Sequence, residues 1–181
     1  MLESDLYDPI HDYLELVFLG RLKPLYGDLR HISAITANAG GSNTGIWSKP
    51  DLCIIALTRL KYGLNWLLDL HGFEVKPAGK CNAQSVHEAL NHTSLVHFTH
   101  LVWHCERWDD RDEDCATILE RCSHFGVGLI TFAKPKDPRS FVVRLPGRRH
   151  NPEPDALDEF IETRIPVAER NKLSAWLEEL R

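Results

Sequence analysis

No two cysteines stand at C-x-x-C spacing: Cys53, Cys81, Cys105, Cys115 and Cys122 are single, far apart and odd in number. That excludes the usual cysteine zinc site and argues against a disulfide framework, so a reducing compartment is the expected setting. No stretch approaches the roughly 20 apolar residues that cross a bilayer. The opening residues, Met1-Leu2-Glu3-Ser4-Asp5, carry acid where an export signal carries basic residues and an apolar block. A cytoplasmic location with no membrane partner is therefore expected. Neither G-x-x-x-x-G-K-[ST] nor G-x-G-x-x-G occurs, which removes support for a phosphate loop or a dinucleotide fold. The Ser nucleophile elbow G-x-S-x-G is missing too. Excess positive charge is also lacking: the net charge is -5, not that of a protein that coats nucleic acid by electrostatics alone.

What is present is an ordinary globular composition over 181 residues, enough for one compact domain and a terminal appendage. We place the domain at residues 1–150 and a C-terminal helical appendage at 151–181. Leu6, Ile10, Tyr13, Leu14 and Val17 recur at helical spacing, predicting a helix from Ser4 to Leu19 with Gly20 just past its end. Arg30 to Ala37 reads as a strand, and Asn38 to Asn43 as a turn that makes a hairpin with the apolar run Leu52 to Leu57. Leu67 to Lys76 reads as the next strand, stopped by Pro77. Ala83 to about Phe98 is helical, with Val86, Leu90, Thr93 and His97 on one side, and Leu101 to Trp103 is a strand. Strand, helix, strand implies a crossover and a parallel pair. Cys115 to Phe125 is a helix ended by Gly126, followed by strands at Val127 to Phe132 and Phe141 to Leu145. Two short helices follow Pro152 and Pro154, the second with Leu173, Trp176, Leu177 and Leu180 on one face. The expected class is α/β.

Chemistry concentrates on the central strands. Asp51 stands at the entry of one strand, after Pro50, and Glu74-Val75-Lys76 ends the next. Alternation puts Glu74 and Lys76 on one face, and a hairpin brings Asp51 beside Glu74. Two carboxylates and a lysine are what phosphodiester hydrolysis with a divalent ion needs: hard oxygen ligands and a group that positions the attacking water. Taken singly, Asp51 reads as a turn residue and Glu74 with Lys76 as a cross-face ion pair. Their joint placement favours the functional reading. Asp69 falls on the opposite face by parity and reads as structural. His100, His104 and Cys105 straddle a strand whose alternation splits His104 from Cys105, so zinc there is not expected. His87 and His97 read as core-edge or surface groups, and Trp47 as packing or a base-stacking contact. Lys134, Lys136, Arg139, Arg144, Arg148 and Arg149 form a basic stretch that reads equally as a solvated edge or a nucleic-acid face.

The ordered set Pro50-Asp51 and Glu74-Val75-Lys76, on those elements, resembles the PD-(D/E)XK nuclease superfamily. From about Glu3 to Cys105 the elements follow that core: helix, three-stranded antiparallel meander, crossover helix, parallel strand. The resemblance implies a restriction-endonuclease-like fold with extra C-terminal helices and a metal-dependent nuclease acting on DNA. Asp51, Glu74 and the Val75 carbonyl would hold Mg²⁺, for which Mn²⁺ substitutes, and Lys76 would position the water. Such proteins often add an acidic residue from the first helix and a polar one from the crossover helix. Glu3 and Gln84 are the candidates, with Glu15, Glu88 and Asn91 as substitutes. Lys49, Arg144, Arg148 and Arg149 would contact nucleic acid. The resemblance further implies a homodimer, because one such site cuts one strand, a protein partner docked through the C-terminal helices, and restriction or anti-phage defence as a setting. The alternative is a nuclease-like fold that no longer cuts and serves binding or assembly.

Overall fold

The computed structural model describes residues 1–25, 27–37, 49–63 and 65–179. The expected turn at Asn38 to Asn43 and the Trp47 side chain lie outside the described residues. The chain is mixed α/β, built on a six-stranded mixed sheet in the order β1-β2-β3-β4-β5-β6. β1 (Gly27–Ile35), β2 (Leu52–Leu60) and β3 (Trp66–Lys76) form an antiparallel meander. β4 (Phe98–His104) and β5 (Gly128–Phe132) then run parallel to β3, and β6 (Phe141–Leu145) returns antiparallel. The parallel steps are bridged by α3 (Ala83–Asn91) and α4 (Glu113–Phe125).

The first helical segment is longer and less regular than its apolar spacing predicts. A 3₁₀ turn (Glu3–Leu6) leads into α1 (Tyr7–Tyr13), a π-helical turn (Leu14–Phe18) and α2 (Leu19–Leu22). Gly20 does not end it, because Leu19 and Leu22 continue the face that packs on the sheet. The π turn resets the phase, so that Leu14, Phe18 and Leu19 bury while Leu16 stays exposed. The crossover helix is shorter than expected. α3 stops at Asn91, followed by a 3₁₀ turn (His92–Ser94) in which Thr93 and Ser94 hydroxyls donate to the Leu90 and Asn91 carbonyls. Those bonds compete with the helical ladder and end it. At its start the Asn82 side chain accepts from the Gln84 and Ser85 amides, a cap the sequence reading did not single out. α4 is capped by Asp112 and ends where expected, at Gly126, whose φ of 75° suits the residue without a Cβ.

Both faces of the sheet are covered, giving a layered α/β/α arrangement. The first helical segment packs on the face carrying Ile54, Phe73, Val75 and Val102. α3 and α4 cover Leu101, Trp103 and Leu129 on the other face. The rest of that face, at Cys53, Ile55 and Leu70, is covered by α5 (Pro154–Arg164) and α6 (Val167–Glu179) through Leu157, Phe160, Ile165 and Leu173. Each such buried side chain contributes about 1.5–3 kcal/mol. Arg30 pins α6 to the sheet: its guanidinium lies 5.5 Å from the Trp66 ring and 5.9 Å from the Trp176 ring and pairs with Glu179 at 2.6 Å. Among the described residues no helix is long and apolar enough to cross a membrane.

Candidate active site

The meander brings Asp51 beside the end of β3. Its amide donates to the Phe73 carbonyl at 2.9 Å, one residue before the paired register of Leu52 with Phe73. Its carbonyl accepts from the Thr36 and Ala37 amides, and the Thr36 hydroxyl donates to the Pro50 carbonyl, so the backbone here is held on both sides. The Asp51 carboxylate is fully engaged. Oδ2 accepts from the Val75 amide at 2.8 Å and Oδ1 from the Tyr7 hydroxyl at 3.0 Å. Because the N–H and C=O of one strand residue point to the same neighbour, the Val75 carbonyl also turns to the Asp51 side.

Glu74 and Lys76 project together, as alternation requires, onto the face covered by α3. Lys76 Nζ lies 2.6 Å from Glu74 Oε1, 2.9 Å from Glu88 Oε2 and 3.6 Å from Glu3 Oε2. Three carboxylates from the first helical segment, β3 and α3 therefore close on one ammonium. The second Glu74 oxygen meets Nε2 of His92, a fully buried ring, at 2.8 Å. Tyr7 ties Glu3 into the group, its hydroxyl lying 3.2 Å from Glu3 Oε1.

Burial, and then the Glu74 charge, push the Asp51 carboxyl up to about 7. Burial would raise Glu74 as well, but the hydrogen bond and charge of His92 and then Lys76 outweigh it and hold Glu74 below the usual carboxylate range. Burial acts to lower Lys76, and Glu74, Glu88 and Glu3 together reverse it, so the ammonium stays charged. Tyr7 is raised by burial and by Asp51 and remains a donor. Of two adjacent acids, Glu74 is held down and Asp51 is pushed up, which is the response of like charges held close in low dielectric.

Among the described residues no group of three or more His, Cys, Asp and Glu side chains converges in metal-holding geometry. At this end of β3 the reason is visible: the Lys76 ammonium occupies the point on which Glu3, Glu74 and Glu88 converge. The donor set itself, carboxylate oxygens with a backbone carbonyl beside them, is the one hard divalent ions take. Asp51 and Glu74 suit such an ion, since an added cation would relieve the repulsion that raises the Asp51 carboxyl.

Not every expected residue joins the site. Gln84 is exposed, and its backbone amide donates to the Asn82 side chain at the helix cap. Glu88, one turn further along α3, is the residue that reaches Lys76. Glu15 turns instead to Ser33 and His31 on β1. Asn91 sits in the last turn of α3, where its carbonyl accepts from Ser94. The basic residues are spent elsewhere. Arg148 donates to the Ser123 and His124 carbonyls at the end of α4, and Arg149 pairs with Asp69 at 3.0 Å. Asp69 and Lys76 are seven residues apart on one strand, roughly 23 Å, so Arg149 lies at the far end of the sheet. Arg144 bonds the Thr131 hydroxyl and lies over the Trp108 ring. Lys49 is half-buried near Arg164. The sequence reading missed Tyr7 and His92. Both had a signal: Tyr7 lies three residues before Ile10 on the apolar helix face, and His92 lies three and seven residues after the buried Ala89 and Ser85. No family model, no curated protein and no solved structure matches the chain.

Proposed function

We propose that the chain is a metal-dependent nuclease of the PD-(D/E)XK type, acting on DNA through the end of β3. The observation that carries this reading is the convergence of Glu3, Glu74 and Glu88 on Lys76, with Asp51 alongside, on a meander followed by a crossover helix. Asp51, Glu74 and the Val75 carbonyl would hold Mg²⁺ or Mn²⁺, with Glu3 and Glu88 as further oxygen donors. Such an ion, when bound, lowers the pKa of a coordinated water and offsets charge on the phosphate. The protein's own part is positioning. Val75 N–H and His92 each fix one oxygen of Asp51 and Glu74 from the interior, which leaves Tyr7 and Lys76 on the outer oxygens as the partners that give way. Lys76, released from Glu74, is placed to orient the attacking water and to stabilise the anionic phosphate. A homodimer supplies a second site for the second strand, and a defence role against foreign DNA suits such an enzyme. The test is cleavage of plasmid and single-stranded DNA with Mg²⁺ or Mn²⁺, comparing wild type with Asp51→Ala and Lys76→Ala. Metal-dependent cutting lost in both variants is expected; full activity in Lys76→Ala sinks the assignment.

One observation favours a second reading, a nuclease-like subunit that binds or assembles without cutting: each oxygen of Asp51 and Glu74 already has a protein partner. Calorimetric titration with Mn²⁺ separates the two, since a silent subunit takes up no ion at this site.

A further inference from the structure

The face of the sheet opposite Glu74 and Lys76 carries a different chemistry. There, Phe18, Arg21 and Leu22 of the first helical segment roof a cavity of about 290 Å³ floored by His71, Phe98 and His100. This volume lies at the low end for small-molecule sites. Its floor is a row of near-parallel rings: His71 stacks on Phe98 at 4.5 Å and lies 5.5 Å from His100, at 17° to it. Phe18 meets His71 and His100 edge-on, at 77° and 80°. The shape and the walls suit a flat aromatic ring.

Two buried imidazoles in an apolar wall are costly unless their nitrogens are used. His71 Nδ1 and His100 Nε2 lie 3.2 Å apart and share one hydrogen bond. Among the described residues His100 Nδ1 has no partner, and it lies against Gly128, where a Cβ would come within 2.4 Å of it. Either tautomer leaves one N–H without a partner, and that N–H is less costly at His71 Nε2, which is not sealed in, than at the enclosed His100 Nδ1, which favours a His100 Nε2–H that donates to His71 Nδ1. His71 then carries its proton on Nε2, which no group among the described residues accepts. Burial, with His100 and His97 nearby, holds His71 well below the imidazole range, and burial lowers His100 to about 3, so both rings are neutral. At the rim, Arg21 forms no ion pair among the described residues, while Asp69 is neutralised by Arg149. The rim therefore favours an anion.

We propose that this cavity binds a small planar heteroaromatic carboxylate, its ring acceptor on the His71 Nε2–H and its carboxylate at Arg21. The test is calorimetric titration of the full chain with quinoline-3-carboxylate and two isosteres, naphthalene-2-carboxylate without the ring acceptor and quinoline without the charge. Quinoline-3-carboxylate is expected to bind, and each isostere to bind roughly tenfold more weakly, the loss of one ordinary polar contact. His71→Phe keeps the ring stack and should erase the difference between quinoline-3-carboxylate and the naphthoate. Arg21→Leu, at an exposed side chain, should erase the difference between quinoline-3-carboxylate and quinoline, and it keeps the question answerable if His71→Phe fails to fold. No binding of any of the three compounds, or equal binding of all three to wild type, overturns the proposal.

Discussion

Strand β3 carries an ion pair toward each end, and the two are built differently. Toward its start, Asp69 pairs with Arg149 at 3.0 Å, with 23% and 47% of the side chains exposed. At its finish, Glu74 pairs with Lys76 at 2.6 Å, with 9% and 12% exposed, and with a His92 that is fully buried. The first pair is partly exposed, so solvent reaches either partner if the other is lost. In the second, Glu74 and Lys76 are too little exposed for solvent to replace a missing partner readily, so each group constrains the others. Burial, more than distance, separates an ion pair that decorates a surface from one that fixes a carboxylate in place.

The largest expected effect lies at the buried end. Lys76→Ala, on the nuclease reading, lowers the rate of DNA cleavage by about 10²–10⁴-fold, measured on a labelled duplex with Mn²⁺. The corresponding change at the other end, Arg149→Ala, leaves that rate within a factor of about two, since surface substitutions away from the site are near neutral. Equal losses from the two variants would break the contrast. Next in size is stability. His92→Leu strands the Glu74 charge beside Lys76 alone and should cost about 3–5 kcal/mol in urea unfolding. Combined with Glu74→Gln, which removes the charge, the cost of His92→Leu should shrink by more than half. Additive losses in the double variant would mean that His92 is packing filler and nothing more.

That contrast was partly legible in the sequence. Strand alternation sufficed to put Glu74 and Lys76 on one face and Asp69 on the other, because period 2 holds wherever a strand is regular. The antiparallel hairpin and the parallel crossover followed from apolar runs separated by turn residues. The helices were read less well. A π turn at Leu14–Phe18 breaks the 3.6 period, and hydroxyl bonds from Thr93 and Ser94 end α3 early; neither is visible to a periodicity count. Gln84 is suggested by residue type with Glu88 as a substitute, and it is Glu88, one turn further along the same helix, that reaches Lys76. The basic stretch reads equally as a solvated edge or a nucleic-acid face. Charge in a row says nothing about which end of a sheet it meets, and Arg148 and Arg149 meet the end away from Asp51.

A smaller effect, with a sign that can be worked out, concerns Asp51. Its carboxyl is raised to about 7 in the folded chain, by burial first and Glu74 second, against about 3.9 for an unfolded aspartate. A raised acid binds its proton more tightly when folded, so its stabilising contribution is complete below about pH 4 and is lost as pH rises toward 7. Glu74 is depressed and acts in the opposite direction, so the comparison to make is wild type against the isosteric Asp51→Asn. The stability difference, wild type minus variant, should fall by about 3 kcal/mol between pH 4 and pH 7, measured by urea unfolding. A difference independent of pH would show that the Asp51 carboxyl is not raised by its burial and by Glu74. On the metal reading, millimolar Mg²⁺ should flatten the slope, because the ion takes the role of the proton.

The smallest effect is the one at the start of β3. Arg149→Ala removes the exposed pair with Asp69, and exposed pairs contribute about 0–1 kcal/mol. The variant should therefore unfold within 1 kcal/mol of wild type, and added salt should narrow even that gap, since partly exposed charges are screened at a distance of about 8–10 Å in ordinary buffers. The buried end behaves otherwise: salt reaches Glu74, Lys76 and His92 poorly, so the cost of His92→Leu should be nearly the same in low and high salt. Measuring both variants at two ionic strengths thus tests the comparison without recourse to activity. A His92→Leu cost that collapses in salt would mean that the end of β3 is wetter than its geometry suggests, and the positioning role given to its buried partners would fall with it.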